Sequence, residues 1–119
     1  MLKQIVAAAL ITLTASLLPI RVWSQPGPRA LINLGRAENL ARQAAENVNG
    51  GIEHYRAEDS MYGPAEQSPH VYDGHGTWTF TFKGHAPGSD IPTVESIVTV
   101  SRTGMVQVNY NGPIRSTTR

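Results

Sequence analysis

The chain has 119 residues, contains no cysteine and carries a formal net charge of +1. The absence of thiols excludes a disulfide framework and cysteine chemistry, so the fold must depend on packing alone. The basic residues are scattered along the sequence, and without a basic cluster we expect no nucleic-acid partner.

The first 24 residues are typical of a secretory signal peptide. Lys3 supplies a positive start, and residues 5–18 form an apolar run that is shorter than the ~18 residues a membrane-spanning helix needs. Val22 and Ser24 stand at the minus-three and minus-one positions that signal peptidase favours. We therefore predict cleavage between Ser24 and Gln25, a periplasmic or secreted protein, and no integral membrane segment after cleavage.

Residues 25–119 have the size of a single small domain with one hydrophobic core. They open with a predicted helix at about 28–49, in which Pro28 stands at a favoured first position. Gly50 and Gly51 follow the helical pattern directly, and glycine supplies the left-handed residue at which many helices end. The pattern therefore predicts one long amino-terminal helix.

The predicted helix is apolar on one side. At 100° per residue, a sector of roughly 100° contains small and aliphatic side chains, most of them alanines. These are Leu34, Ala37, Ala41, Ala44, Ala45 and Val48. Alanines bury little area, but they let a helix lie close to a partner that supplies bulk. Glu38 and Arg42 also have the spacing of an i,i+4 ion pair.

Four strands are predicted after the helix, at about 52–59, 77–83, 94–101 and 105–110. In the second, Trp78, Phe80 and Phe82 alternate with threonines, so the three rings share one face. Such a face suits either a stacking surface for sugars or bases or a half-buried core. Because the rings supply the bulk that the alanine side of the helix lacks, we interpret them as core.

The last two predicted strands form a hairpin. A three-residue turn ending at Gly104, the position that needs positive φ, sets Ser101 opposite Met105. The pairs that follow are Val100 with Val106, Val98 with Val108, and Ser96 with Tyr110. This register keeps apolar side chains together on one face of the sheet.

A long segment, residues 61–76, separates the first two predicted strands and is rich in proline and glycine. It exceeds the ~12 to 15 residues beyond which unstructured loops in compact domains become uncommon, so it is either functional or mobile. Its larger side chains are candidate binding residues: Met61, Tyr62, His70, Tyr72 and His75.

His70, Asp73 and His75 bring two imidazoles and a carboxylate together within six residues, and these are ligand types of zinc and copper. The spacing matches no closed metal motif, and Asp73 precedes a glycine in a common turn pair, so surface turn residues are the favoured interpretation. No serine lies in a Gly-x-Ser-x-Gly elbow, and the adjacent Glu58 and Asp59 would point to opposite faces of a strand. We therefore predict no catalytic residues and no cofactor.

The sequence resembles the PepSY-type domain in its helix, its glycine stop, its aromatic strand and its last hairpin. The helix is lined inside by Ala37, Ala41 and Ala45, and the hairpin contains Thr103, Gly104 and Val106. The PepSY-type domain is a small cystatin-like module of exported bacterial proteins. The resemblance implies an α+β fold, with one long amino-terminal helix packed on an antiparallel sheet of three to four strands. It also implies a non-enzymatic role in binding proteins, including the restraint of peptidases. The long 61–76 segment and the second glycine after the helix depart from the family pattern.

We therefore expect an exported interaction module that binds another exported protein or peptide. Its contact surface would be residues 61–76 together with an exposed sheet edge, where a peptide can add a strand. One alternative is a small metal-binding protein or hydrolase that uses His70, Asp73 and His75. The other is a structural envelope protein without a small ligand.

Overall fold

The structure, a computed structural model, describes residues 30–115. The predicted signal peptide, its cleavage site and the first predicted helical positions, 28 and 29, lie outside the described residues. The elements are α1 (Leu34–Val48), β1 (Arg56–Ala57), β2 (His70–Tyr72), β3 (Thr77–His85), β4 (Val94–Ser101) and β5 (Val106–Gly112). Two short 3₁₀ turns, Asp59–Met61 and Ala65–Gln67, lie between β1 and β2. The described part is therefore α+β, with one helix and a five-stranded antiparallel sheet.

The strand order is β1, β3, β4, β5, and β2 also pairs with β3. Because β4 occupies one side of β3, β1 and β2 share the other side: β1 pairs with Gly84 and His85, and β2 with residues 78–80. The sheet has one strand more than the predicted upper limit of four. The extra strand is β2, which forms inside the segment that the sequence indicated as a loop.

The core lies between α1 and the sheet. Ala37, Ala41 and Ala45 are fully buried, and Trp78, the most accessible of the three aromatic rings, is only 8% exposed. Phe80 and Phe82 belong to the same cluster as the alanines. The interpretation of the rings as core beneath an alanine-lined helix is confirmed. Val48, at the carboxyl end of the predicted apolar stripe, is instead exposed.

Helix α1 begins later than predicted. Asn33 caps it, because its side-chain Oδ1 accepts the N–H of Arg36 at 2.9 Å, and asparagine is among the strongest capping residues. Residues 30–33 are not helical, and the N–H of Ile32 donates to the carbonyl of Arg102 at 2.8 Å. The described part of the predicted 28–49 helix therefore starts at Leu34.

The carboxyl end of α1 is close to the predicted stop. Gly50 and Gly51 both have positive φ, and the N–H of Gly51 donates to the carbonyl of Glu46 at 2.8 Å. The predicted Glu38–Arg42 pair is replaced by an Arg42–Glu46 pair with an Nε–Oε2 distance of 3.5 Å. The guanidinium of Arg42 also donates to the carbonyl of Met61 at 3.0 Å, which ties it to the segment after β1.

The predicted strand 52–59 is reduced to Arg56–Ala57. Residues 52–54 form a turn, in which the N–H of His54 donates to the carbonyl of Gly51 at 3.0 Å. The first part of the predicted strand therefore belongs to the turn that follows the helix, and its last residue, Asp59, begins a 3₁₀ turn.

The hairpin of β4 and β5 has the predicted turn. The N–H of Ser101 donates to the carbonyl of Met105 at 2.9 Å, and Gly104 has a φ of 91°. The Val100–Val106 and Val98–Val108 pairs form as predicted, but the predicted pairing of Ser96 with Tyr110 is wrong.

A register shift at Ile97 and Val98 moves Tyr110 opposite Ile97 and Asn111 opposite Ser96. The side chain of Asn111 supplies a physical reason, because its Oδ1 accepts the Ser96 hydroxyl at 2.6 Å. The same side chain donates to Asn49 at the end of α1, at 2.9 Å. These bonds favour the shifted register.

Candidate functional site

The 61–76 segment is largely organised, with β2 as an edge strand beside β3. The N–H of Asp73 donates to the carbonyl of Thr77 at 3.0 Å, and the N–H of Thr81 donates to the carbonyl of Pro69 at 3.1 Å. In an antiparallel pair, alternate residues direct their backbone groups toward the partner strand. Val71, opposite Thr79, therefore faces β3, and the N–H and C=O groups of His70 and Tyr72 face the open edge.

The side chains of β2 divide between the two faces of the sheet. His70 packs against Phe80 with ring centroids 5.9 Å apart, and Tyr72 packs against Trp78 at 5.5 Å, on the face that carries the core. Val71 points to the opposite face and is 70% exposed. Beside it lies a hollow of about 570 Å³, lined by Pro69, His70, Val71, Thr79 and Thr81. This hollow presents an aliphatic side chain next to threonine hydroxyls.

The ring of His70 is held in one orientation. Its Nδ1 lies 2.9 Å from the carbonyl oxygen of Ser68 and 3.1 Å from the Ser68 hydroxyl. That hydroxyl donates to the carbonyl of Ala65 at 2.7 Å, and Ser68 is buried. Because a carbonyl oxygen can only accept, the contact assigns the proton of a neutral His70 ring to Nδ1. His70 thereby fixes the start of β2.

Asp73 closes the turn between β2 and β3. Its Oδ1 accepts the N–H of His75 at 2.6 Å and the N–H of Thr77 at 3.1 Å. These backbone donors, that of His75 first, lower the pKa of the Asp73 carboxyl below its usual value. Across residues 30–115, no three His, Asp or Glu side chains are grouped so that they could hold a metal ion. The structure therefore does not bring His70, Asp73 and His75 together as a metal site.

Two other predicted binding residues lie elsewhere. Met61 is fully buried in the core, so its prediction as a binding residue is wrong: the 3₁₀ turn after β1 directs it inward. Tyr62 is exposed at the surface, where its ring centroid lies 4.8 Å from the guanidinium carbon of Arg42 and 4.4 Å from that of Arg56. The predicted residues on the β2 side are therefore His70, Tyr72 and the exposed His75.

Glu38 of α1 is a feature that the sequence reasoning missed. It is only 5% exposed, and its Oε2 atom has no hydrogen-bond partner among the described residues. Burial is the main cause that raises the pKa of Glu38, the charge of Glu66 adds to the rise, and Arg42 and His70 oppose it. The carboxyl is thus within electrostatic reach of the segment that leads into β2.

A second hollow, of about 560 Å³, lies where β1 meets β3. Its lining mixes the basic residues Arg56, Lys83 and His85 with the acidic residues Glu58, Asp59 and Asp90. Glu58 is engaged in the fold there, since Oε1 accepts the backbone N–H of Lys83 at 3.1 Å and Oε2 accepts the Ser60 hydroxyl at 2.6 Å. This lining gives no consistent charge, so the β2 edge is the better candidate site.

Comparisons with protein-family models, with curated proteins and with solved structures found no match. Between residues 30 and 115, no helix has both the length and the apolar character that crossing a bilayer requires. The β2 edge is therefore interpreted from its own geometry.

Proposed function

We propose that this protein is a non-enzymatic, exported interaction module, and that it captures an extended segment of another exported protein or peptide. The captured segment adds a strand beside β2. The observation that carries the proposal is the pair of outward-facing backbone groups at His70 and Tyr72, next to the exposed side chain of Val71.

The backbone of β2 supplies the affinity in this mode of binding. His70 and Tyr72 each offer one N–H donor and one C=O acceptor, so an added strand gains up to about four hydrogen bonds. Each contributes about 0.5 to 1.5 kcal/mol net, because both partners give up water. An edge of three residues therefore supports a modest affinity that pocket contacts must increase.

The side chains around β2 supply the selectivity. Alternate residues of an added strand project to the face of Val71, Thr79 and Thr81, where the hollow fits a branched aliphatic side chain. Residues between them project to the face of His70 and Tyr72, where the half-exposed Tyr72 ring offers a flat contact. The favoured ligand is therefore an extended, uncharged stretch rich in β-branched residues.

The predicted signal peptide, with cleavage between Ser24 and Gln25, supports the export part of the proposal. The PepSY-like pattern of the alanine-lined helix and the aromatic strand adds a second support, since it implies a protein-binding module. Restraint of a peptidase is one use of strand capture, because a peptide held as an added strand is withheld from a protease cleft.

The test is an array of immobilised short peptides of random sequence, probed with the protein, followed by fluorescence anisotropy with the strongest ligand. The informative variant is Tyr72→Pro, which removes an outward N–H that the β2–β3 pairing does not use. Tyr72→Ala is its matched control, because it removes the ring and keeps the N–H. We expect Tyr72→Pro to bind about tenfold more weakly than Tyr72→Ala.

A second control is a proline on the opposite edge of the sheet, Val106→Pro, at the exposed first residue of β5, which should leave peptide affinity unchanged. Equal affinities of Tyr72→Pro and Tyr72→Ala would contradict strand addition at β2. An array without any ligand would contradict peptide capture altogether and favour the structural envelope role.

A further inference from the structure

The opposite edge of the sheet is formed by β5. In residues 30–115, β4 is its one strand neighbour, so its second side is open. The strand, Val106–Gly112, has the sequence VQVNYNG and contains no charged residue. Proteins commonly protect edge strands with charges or prolines, and β5 has neither.

The direction of the β5 backbone groups follows from its pairing with β4. The N–H of Ser101 donates to the carbonyl of Met105 at 2.9 Å, and the Thr99 hydroxyl donates to the carbonyl of Gln107 at 3.5 Å. Met105 and Gln107 therefore face β4. By alternation, the N–H and C=O groups of Val106 and Val108 face the open edge.

The open edge has a regular half and an irregular half. The register shift opposite Ile97 and Val98 places the irregularity after Val108, and such bulges bend and twist a strand. The half before it is in register with β4 through the turn. It is also apolar at the surface, since Met105 is 73% exposed and Val106 is 38% exposed.

We propose that two copies of this chain associate through β5, as an antiparallel strand pair with a two-fold axis at Gln107. In this register, Val106 of each copy lies opposite Val108 of the other, and the two Gln107 residues face each other. The outward N–H and C=O groups of the valines then form four hydrogen bonds between the copies. The inference is independent of the function proposed for β2.

The register is self-complementary on both faces of the sheet. The valines share the face of Val100, which is buried under α1, so aliphatic side chains from the two copies meet there. The glutamines lie on the opposite face, where two amides can bond to each other. The strand itself carries no charge, so the paired strand residues of the two copies bring no like charges opposite each other.

A second copy is favoured over a foreign peptide because β5 has a valine on each side of Gln107. Each valine of one copy therefore meets a valine of the other. Most oligomers use such isologous, two-fold contacts. The regular half of the strand is short, so the contact is small and association is expected to be weak and concentration-dependent.

Sedimentation velocity over a range of concentrations tests the pairing, with the protein purified after expression of the full 119-residue sequence. Mass spectrometry defines its amino terminus. Gln107 is exposed on the outer face, so Gln107→Lys and Gln107→Glu should fold as the parent does, which circular dichroism checks. Each variant places like charges opposite each other across the axis, and we expect about fivefold weaker association.

The decisive measurement is an equimolar mixture of Gln107→Lys and Gln107→Glu, in which the opposite charges now face each other. We expect the mixture to associate at least as strongly as the unmodified chain. Ile91→Lys, which adds a charge at an exposed residue before β4, is the matched control and should associate normally. A monomer at every concentration, unchanged association of both Gln107 variants, or a mixture without recovery would each overturn the proposal.

Discussion

The ring of Tyr55 lies directly on Gly84 of β3, so closely that a Cβ at position 84 would overlap the ring carbons. Tyr55 is buried, and Gly84 pairs with Ala57 of β1 on one side and with Val94 of β4 on the other. Glycine is therefore required at this point to let the tyrosine cross the strand.

Replacing Gly84 by alanine should destabilise the protein by about 1 to 3 kcal/mol, because the added methyl group forces Tyr55 or the β3 backbone to move. Chemical denaturation measures the change. Gly63→Ala is the control, since a Cβ at position 63 meets no atom within 4 Å. The loss should shrink in the background of Tyr55→Ala, and an equal loss in both backgrounds would contradict the steric cause.

The hydroxyl of Tyr55 should make the protein sensitive to alkali. Burial raises the pKa of Tyr55 to about 12, and the hydroxyl has no hydrogen-bond partner among the described residues. Below the usual value of 10, the phenol is neutral in both states, so stability is unaffected by its titration. Between pH 10 and about 12, the unfolded chain loses the proton first, and stability should fall by up to about 2 kcal/mol.

Denaturation at several alkaline pH values measures this loss. Tyr55→Phe should remove most of it, since the ring remains and the ionisable group is gone. Tyr72→Phe, at an exposed tyrosine, is the matched control. A loss of the same size in Tyr55→Phe would show that other groups cause the alkaline instability.

Long alternating runs in the sequence predicted their strands well, and short elements did not follow from local pattern. Trp78, Phe80 and Phe82 share a face by period two alone, so β3 and its burial could be predicted. The three residues of β2 lie between Pro69 and a glycine-rich turn and carry no such pattern. β2 exists because β3 has a free side to pair with, which is a property of the assembled sheet.

The sequence singled out two residues of the β2 edge, but not Val71 between them and not the geometry of the edge. His70 and Tyr72 stand out in the sequence as large side chains in a long connection. Their outward backbone groups follow only from the register with β3. Glu38 was missed because i,i+4 spacing indicated a partner in Arg42, whereas Arg42 turns to Glu46 and to the carbonyl of Met61.

Removing the charge of Glu38 should stabilise the protein near neutral pH. Its pKa is raised above 4.5, mainly by burial, so the folded state holds a proton after the unfolded state has lost it. The contribution of the protonated Glu38 carboxyl to the free energy of unfolding is fully present below pH 4.5, and it is lost as the pH rises through the raised pKa. Glu38→Gln should remove this loss and raise the denaturant midpoint at neutral pH.

Denaturant midpoints at acidic and neutral pH test the effect of Glu38→Gln. Glu53→Gln, at an exposed residue in the turn after α1, is the control and should change neither midpoint. A lower midpoint for Glu38→Gln at neutral pH would mean that the carboxylate is stabilised by contacts that burial does not reveal.

Asp73 should control how well β2 is held against β3, and through β2 the proposed capture of peptides. Its carboxylate accepts the N–H groups of His75 and Thr77, and these bonds lower its pKa. The contribution is therefore present above the usual value of 3.8 and is lost as pH falls through the lowered pKa. Asp73→Ala should speed amide hydrogen exchange at Val71, whose N–H faces β3, and weaken peptide binding.

Asp73→Asn keeps an acceptor oxygen and should restore both readouts in part, whereas Asp90→Ala, at another exposed carboxylate, should alter neither. Unchanged exchange at Val71 in Asp73→Ala would show that the pairing with β3 holds β2 without help from the turn.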